Sequence, residues 1–250
     1  KFLKQNLNPK TGRIHSEFFQ ILETGRISSN RPNMQNIPGT DDEGHTHPLR
    51  LAFTTKEGRT FVVADYSQQE PRITAEYCQD PYLVDFILNG SGDTHGLIAT
   101  MISEYLLGEH IEVTKKNDPM VPKFGKTIRA IGKTINLGRD YGKSAFTTAP
   151  DLGISVEETE QLFKIIEDKT PKKKEYFLKC QRFTAKNGYM QTDDIFRSRT
   201  YFDGYPEYIK LQSIPYEELT REQRRKFYQL KGEMERFSQN NRIQGTAALM

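Results

Sequence analysis

Between Asp80 and about Phe183 the pattern is helical with only short breaks, and this long helical middle limits the fold more than any other feature. Candidate helices are DPYLVDFILN, DTHGLIATMISEYLL, KFGKTIRAIGKTINLG, SVEETEQLFKIIEDK and KKKEYFLKCQRFTAKN. The flanks read differently. Residues 1–50 are rich in Asn, Pro, Gly and Thr and suggest loops and short strands. TFVVADYS (60–67) is apolar and β-branched and predicts a buried strand. QEPRITAEYCQD (69–80) predicts a helix with Pro71 in its first turn, where a missing N–H costs little. NGYMQT and SRTYFDG suggest a hairpin or loop, and REQRRKFYQLKGEMERFSQNNRIQGTAALM one long helix or two. Strand material at both edges of a helical middle predicts an α+β architecture with a helical insertion.

Composition excludes several classes. The 250 residues are long for one compact domain and short for two large ones. With 35% hydrophobic residues, 15 Phe and 12 Tyr, the chain can build a core and is not disordered throughout. The charge sum, 36 − 33 = +3, is too small to imply nucleic acid by itself. Cys78 and Cys180 make neither a disulfide framework nor a metal set. No apolar run approaches the ~18 residues of a membrane helix and no signal peptide opens the chain, so a soluble, reducing compartment is expected. The chain starts at Lys1, and IQGTAALM ends without cap, Gly or Pro. A helix cut at Met250, with the natural protein continuing on both sides, is expected.

Four segments carry candidate chemistry. GKT at 125–127 and 132–134 is no P-loop, because the required first Gly falls on Thr127 and no strand precedes it. Arg129, Lys133, Leu137 and Tyr141 recur at i+4. Over three steps the row sweeps ~120° and climbs ~18 Å along a helix. It presents two cations, an apolar group and a ring, the order of triphosphate, sugar and base in a nucleotide; a solvated amphipathic face is the plainer alternative. Asp65-Tyr66-Ser67 places a carboxylate at a strand end, where it could hold Mg²⁺, while Ser67 to Glu70 also has capping-box spacing. TGRISSNRPNMQNIPG (24–39) offers donors for phosphates and minor-groove acceptors, or is a polar loop. His45 and His47 lack Cys partners for zinc, His15 and His110 suggest nothing, and His95 lies near a helix start. KKK (172–174) and RRK (224–226) read as solvated faces.

Together, ADYSQQEPRITA, RAIGKTINLGRDYG, TGRISSNRPNMQNIP and ERFSQNNRIQGTAALM resemble family A DNA polymerases. They match motif A, motif B, the element upstream of motif A and the helix preceding motif C. The resemblance implies a palm, an antiparallel sheet with helices, carrying inserted helical fingers. Residues 1–80 would be palm, with motif A at 64–75. Residues 81–204 would be fingers, with the motif B helix at about 123–142, and 205–250 the return helix to the palm. It implies a DNA-templated polymerase that adds dNTPs to a primer 3′-hydroxyl with two Mg²⁺ ions, in the cytoplasm of a bacterial cell. Asp65 and the Tyr66 carbonyl would ligate metal. Arg129, Lys133, His95 and Gln68 would hold the triphosphate, with Lys133 a proton donor to pyrophosphate. Glu70 would exclude a ribose 2′-hydroxyl, Leu137 would pack on sugar and base, and Tyr141 would stack near the templating base. Arg26, Asn33, Gln35, Asn36, Arg236, Asn240 and Gln244 would hold primer and template.

Departures from the family pattern are Leu137 for Phe or Tyr, Gly132 inside the helix, Arg139-Asp140, Gln69 and Pro71 in motif A, and a final QGTAALM without Asp. They favour a phage-type member. Motif C, with the second metal-binding Asp, is expected beyond Met250 or on a second chain of a split enzyme. A non-catalytic binding module and a single-subunit RNA polymerase are the alternatives, and Glu70 argues against the latter.

Overall fold

The structure, a computed structural model, describes residues 2–39, 46–193 and 195–250; His45 lies outside them. Backbone packing divides the chain after Ser67 into two units.

The first unit begins with a short helix, α1 (Phe2–Asn6), and two small hairpins. Strand β1 (Leu7–Asn8) pairs antiparallel with β2 (Arg13–Ile14), and β3 (Glu17–Phe19) with β4 (Ser28–Asn30), Phe18 opposite Ser29. The first turn is local chemistry: Asn8 Oδ1 accepts from the Lys10 and Thr11 amides, and Gly12 takes φ +63°. A 3₁₀ turn spans Pro48–Ala52. The strand predicted over 60–67 does not form, and Phe61, Val62 and Val63 are 57%, 91% and 89% exposed. A β-branched run becomes a strand when a neighbour takes its amides and covers a face. Among the described residues no segment pairs with it.

The second unit is helical. Its elements are α2 (Gln69–Cys78), α3 (Pro81–Asn89), α4 (Thr94–Leu107), the hairpin β5 (Met120–Val121) and β6 (Lys126–Thr127), α5 (Ile128–Asp140), α6 (Ala145–Leu152), α7 (Val156–Lys169), α8 (Pro171–Asn187), the hairpin β7 (Tyr189–Gln191) and β8 (Arg199–Tyr201), α9 (Tyr205–Gln212) and α10 (Arg221–Leu249). Local signals start these helices. Side chains of Asp80, Asp93, Thr127, Ser144 and Ser155 cap α3 to α7, and Thr220 with Gln223 forms a capping box on α10. Helices plus small antiparallel hairpins agree with the expected α+β class.

Two boundaries differ from expectation. The motif B helix starts at Ile128 rather than near 123, because Lys126 and Thr127 pair with Val121 and Met120 and Gly125 takes φ +58°. The 205–250 stretch is α9, a 3₁₀ turn at Tyr216–Glu218, and then one unbroken helix, α10.

One core runs through α4, α5 and α7, where Ile98, Ile102, Ile128, Ile131, Ile135 and Leu162 are at most 2% exposed. Each such side chain contributes about 1.5–3 kcal/mol by leaving water. At the centre, Gly132 lets α5 approach α4: a Cβ there would sit 2.8 Å from the Ala99 nitrogen and the His95 oxygen. This glycine, which costs up to ~1 kcal/mol against Ala in helix propensity, is the residue that permits the contact.

Candidate active site

The predicted row on α5 lies on its outward side. Ile128, Ile131, Gly132, Ile135 and Asn136 face the core, while Lys133 is exposed and Arg129, Leu137 and Tyr141 are half-buried. The sequence folds this way because the apolar residues and Gly132 fall on one stripe.

At the N-terminal end of α5, Arg129 is clamped. Its Nε donates to Asp93 Oδ2 at 2.7 Å and its Nη2 to Asp93 Oδ1 at 2.9 Å. The Arg129 amide donates to Asp118 Oδ1 at 2.9 Å. Burial pushes the Asp93 carboxyl up, but the Arg129 hydrogen bonds and the Gly96 amide outweigh it and hold it below the ordinary range. The same pair raises Arg129 further. His95, two residues past Asp93, is pushed down by burial and then by the positive charge of Arg129, so it stays neutral at pH 7. Lys133 also lowers it, which places both cations of the row in the electrostatic reach of His95.

Gln68 is committed to the same corner. Its Nε2 donates to the Gly92 carbonyl at 2.7 Å, and its Oε1 accepts from the Thr94 amide at 2.9 Å and from the Thr94 hydroxyl. It therefore fixes the start of α4, the element that carries His95. At the other end of α5 the Tyr141 hydroxyl donates to Glu70 Oε2 at 3.0 Å, joining the residue expected near the templating base to the one expected to exclude a 2′-hydroxyl. Gly142 follows with φ +72°, and a Cβ there would lie 2.8 Å from Arg236 Cγ. Arg236 on α10 thus lies against the turn after Tyr141, and Asn240 and Gln244 follow it at four-residue spacing along that helix.

In the first unit, Asp65 and Tyr66 are exposed. Arg26, Asn33 and Asn36 are exposed on the 24–39 loop. Gln35 is tied into it: Nε2 donates to the Ile27 carbonyl at 2.8 Å and Oε1 accepts from the Ser29 amide at 3.1 Å. The buried Ser29 hydroxyl also accepts from the Met34 amide at 3.0 Å and bonds Ser16 Oγ at 2.6 Å. The loop is therefore internally braced. Among the described residues no group of three His, Cys, Asp or Glu side chains could hold a metal. Asp65 contributes one exposed carboxylate to the 64–67 segment.

Sequence reading missed Asp93. DTHG marks a helix cap, and nothing local shows that the carboxylate meets an arginine 36 residues away.

These motifs and this fold define a polymerase-type chain, and the sequence model of DNA polymerase family A matches residues 1–250. The chain belongs to that family. DNA polymerase I of Caldicellulosiruptor bescii is 32% identical over 247 residues, covering 98% of this chain and 25% of that protein. DNA polymerase I of Chloroflexus aurantiacus is 36% identical over 187 residues, 74% of this chain and 18% of that protein. The chain thus spans a quarter or less of these two relatives. Among solved structures, the POL domain of Pol1 from M. smegmatis, in complex with DNA primer-template and dNTP, matches 98% of this chain and 37% of that one, with a TM-score of 0.69 at 30% identity.

Proposed function

We propose that the polypeptide carrying this chain is a DNA-templated DNA polymerase that adds deoxynucleotides to a primer 3′-hydroxyl. The observation that carries this reading is the outward face of α5. It has two cations beside a neutral imidazole at one end and a Tyr–Glu hydrogen bond at the other. Arg129 and Lys133 bind the triphosphate, an anion that a planar fork and a point charge hold in complementary ways. His95 adds a neutral donor beside it, and Gln68 acts through α4 by fixing where that imidazole stands. Leu137 packs on sugar and base. Glu70, held by Tyr141, fills the space of a ribose 2′-hydroxyl. Lys133 supplies a proton to the leaving pyrophosphate.

Asp65 with the Tyr66 carbonyl offers hard oxygen ligands suited to Mg²⁺, and a two-ion site needs a second carboxylate besides Asp65. Two such ions supply activation of the primer hydroxyl and stabilisation of pyrophosphate charge. Arg26, Asn33, Asn36, Arg236, Asn240 and Gln244 contact primer and template, and Gln35 shapes the loop that presents three of them. In this assignment 1–80 and 205–250 are palm and 81–204 fingers. The relatives compared are DNA polymerase I of two bacteria; the phage-type reading rests on Leu137, Gly132, Arg139-Asp140, Gln69, Pro71 and the final QGTAALM, and the proposed setting of the reaction is a bacterial cytoplasm.

Primer extension tests this. The complete polypeptide should extend a primed template with Mg²⁺ and dNTPs, and the isolated 250-residue chain should not do so at a useful rate. No template-dependent extension by the complete polypeptide refutes the reading, and robust extension by the isolated chain refutes its dependence on the rest of the polypeptide. In the complete enzyme Glu70→Ala should increase ribonucleotide incorporation at least about tenfold, since relieving a clash of this kind is worth more than ~1.4 kcal/mol.

A further inference from the structure

We propose that Asp93 is a positioning residue for nucleotide binding: it clamps the side edge of the Arg129 guanidinium and leaves the end edge to the triphosphate. The proposal rests on the polymerase reading above.

Stereochemistry supplies the first reason. A guanidinium has five N–H groups in a rigid fork. Asp93 takes the Nε–Nη2 edge at 2.7 and 2.9 Å. One Nη1 proton and the outer Nη2 proton are left as a second, end-on pair. Among the described residues nothing accepts from Nη1. One arginine can therefore bind the carboxylate and a phosphate together.

The second reason is that the clamp cannot swing. Asp93 is buried, and its Oδ1 also accepts from the Gly96 amide at 3.3 Å, capping α4. Its own amide donates to Ser91 Oγ at 3.2 Å. Gln68 pins Gly92 and Thr94 on either side. Gly96 is wedged as well: a Cβ there would lie 2.6 Å from the Val113 oxygen and 3.1 Å from Asp93 Oδ2. On the arginine side, Asp118 holds the Arg129 amide. A free arginine side chain samples many rotamers, and a fork fixed in advance loses less on meeting its ligand. A carboxylate that merely competed with phosphate would sit on a mobile, exposed side chain; this one is built into a helix cap.

Asp93→Asn separates the two roles, because Asn caps a helix as well as Asp does but cannot form the charged bidentate pair. In the complete polymerase, steady-state primer extension with a single dNTP should show KM raised about tenfold, the loss of roughly one charge-assisted hydrogen bond. The kcat and primer-template affinity should stay within about threefold, and the melting temperature should confirm folding. Arg129→Lys keeps the cation and loses the fork, so Asp93→Asn placed on top of it should raise KM no further. The proposal is overturned if Asp93→Asn leaves KM unchanged, if it lowers KM, or if it acts equally on the Arg129→Lys enzyme. Should Asp93→Asn fail to fold, Asp93→Ser, which also caps, takes its place with the same outcomes. Absence of any extension by the unsubstituted polypeptide defeats the polymerase reading itself and is distinguishable from all of these.

Discussion

Lys1–Ser67 and Gln68–Met250 meet the same two demands, pairing backbone polar groups and hiding apolar surface, by different means. The helical unit does both from within. Its amides are paired along each helix, the starts of α3 to α7 and of α10 are capped by neighbouring side chains, and one core links α4, α5 and α7. The first unit pairs its backbone through two short hairpins and side-chain hydrogen bonds, and among its described residues only Ser29 and Ile37 are buried. Phe18, Ile21, Leu51 and Phe61 are all more than half exposed. The difference lies in where the stabilisation comes from. Helix contacts are local and summed along the chain, whereas strands gain only when a partner strand and a covering layer arrive.

Matched truncations break or confirm this contrast most directly. Leu162→Ala removes a side chain with 0% exposure and should cost about 2–5 kcal/mol in urea unfolding of the helical unit. Val62→Ala, at 91% exposure, should change stability by no more than about 0.5 kcal/mol. Similar costs at the two positions would show that the first unit buries its apolar run after all.

Gly132→Ala is the next largest effect, and two opposing magnitudes decide its sign. Helix propensity favours Ala by up to ~1 kcal/mol. The new methyl meets backbone atoms of α4 at 2.8 Å, which cannot rotate away, and overpacking of this kind costs about 1–3 kcal/mol. Net destabilisation is expected in the same unfolding assay. A stabilised variant would mean that α4 and α5 are not held at this spacing.

The same contrast explains what the sequence revealed. Capped, periodic stretches such as DTHGLIATMISEYLL and SVEETEQLFKIIEDK were legible because cap, stripe and stop all lie within a few residues. Helices α6 and α9 escaped because each is only eight residues long, about two turns, too short to show a periodic stripe. The run at 60–67 misled because its composition specifies a strand while its conformation depends on a partner. In the site, the α5 row was readable from i+4 spacing. The Asp93–Arg129 pair and the Tyr141–Glu70 bond, 36 and 71 residues apart, were not, because no local pattern encodes them.

The smallest expected effect is a pH dependence lodged in the helical unit. Burial, then Arg129 and Lys133, hold His95 below the ordinary histidine value of 6.5, against the opposing charges of Asp93 and Asp140. Its Nδ1 is buried and accepts or donates no hydrogen bond among the described residues, so no hydrogen bond at that nitrogen offsets the cost of protonation. As pH falls through about 6.5 the unfolded chain takes up this proton while the folded chain does not. The unfolded state then binds more protons, and stability declines as pH falls. The contribution is complete above the unfolded value and lost between it and the lower folded one. Urea midpoints at pH 7.5 and 5.5 should therefore drop for the natural sequence, and His95→Gln should remove part of that drop. A drop of equal size in the His95→Gln protein would place the pH sensitivity elsewhere and make the cationic row of α5 electrostatically remote from that imidazole.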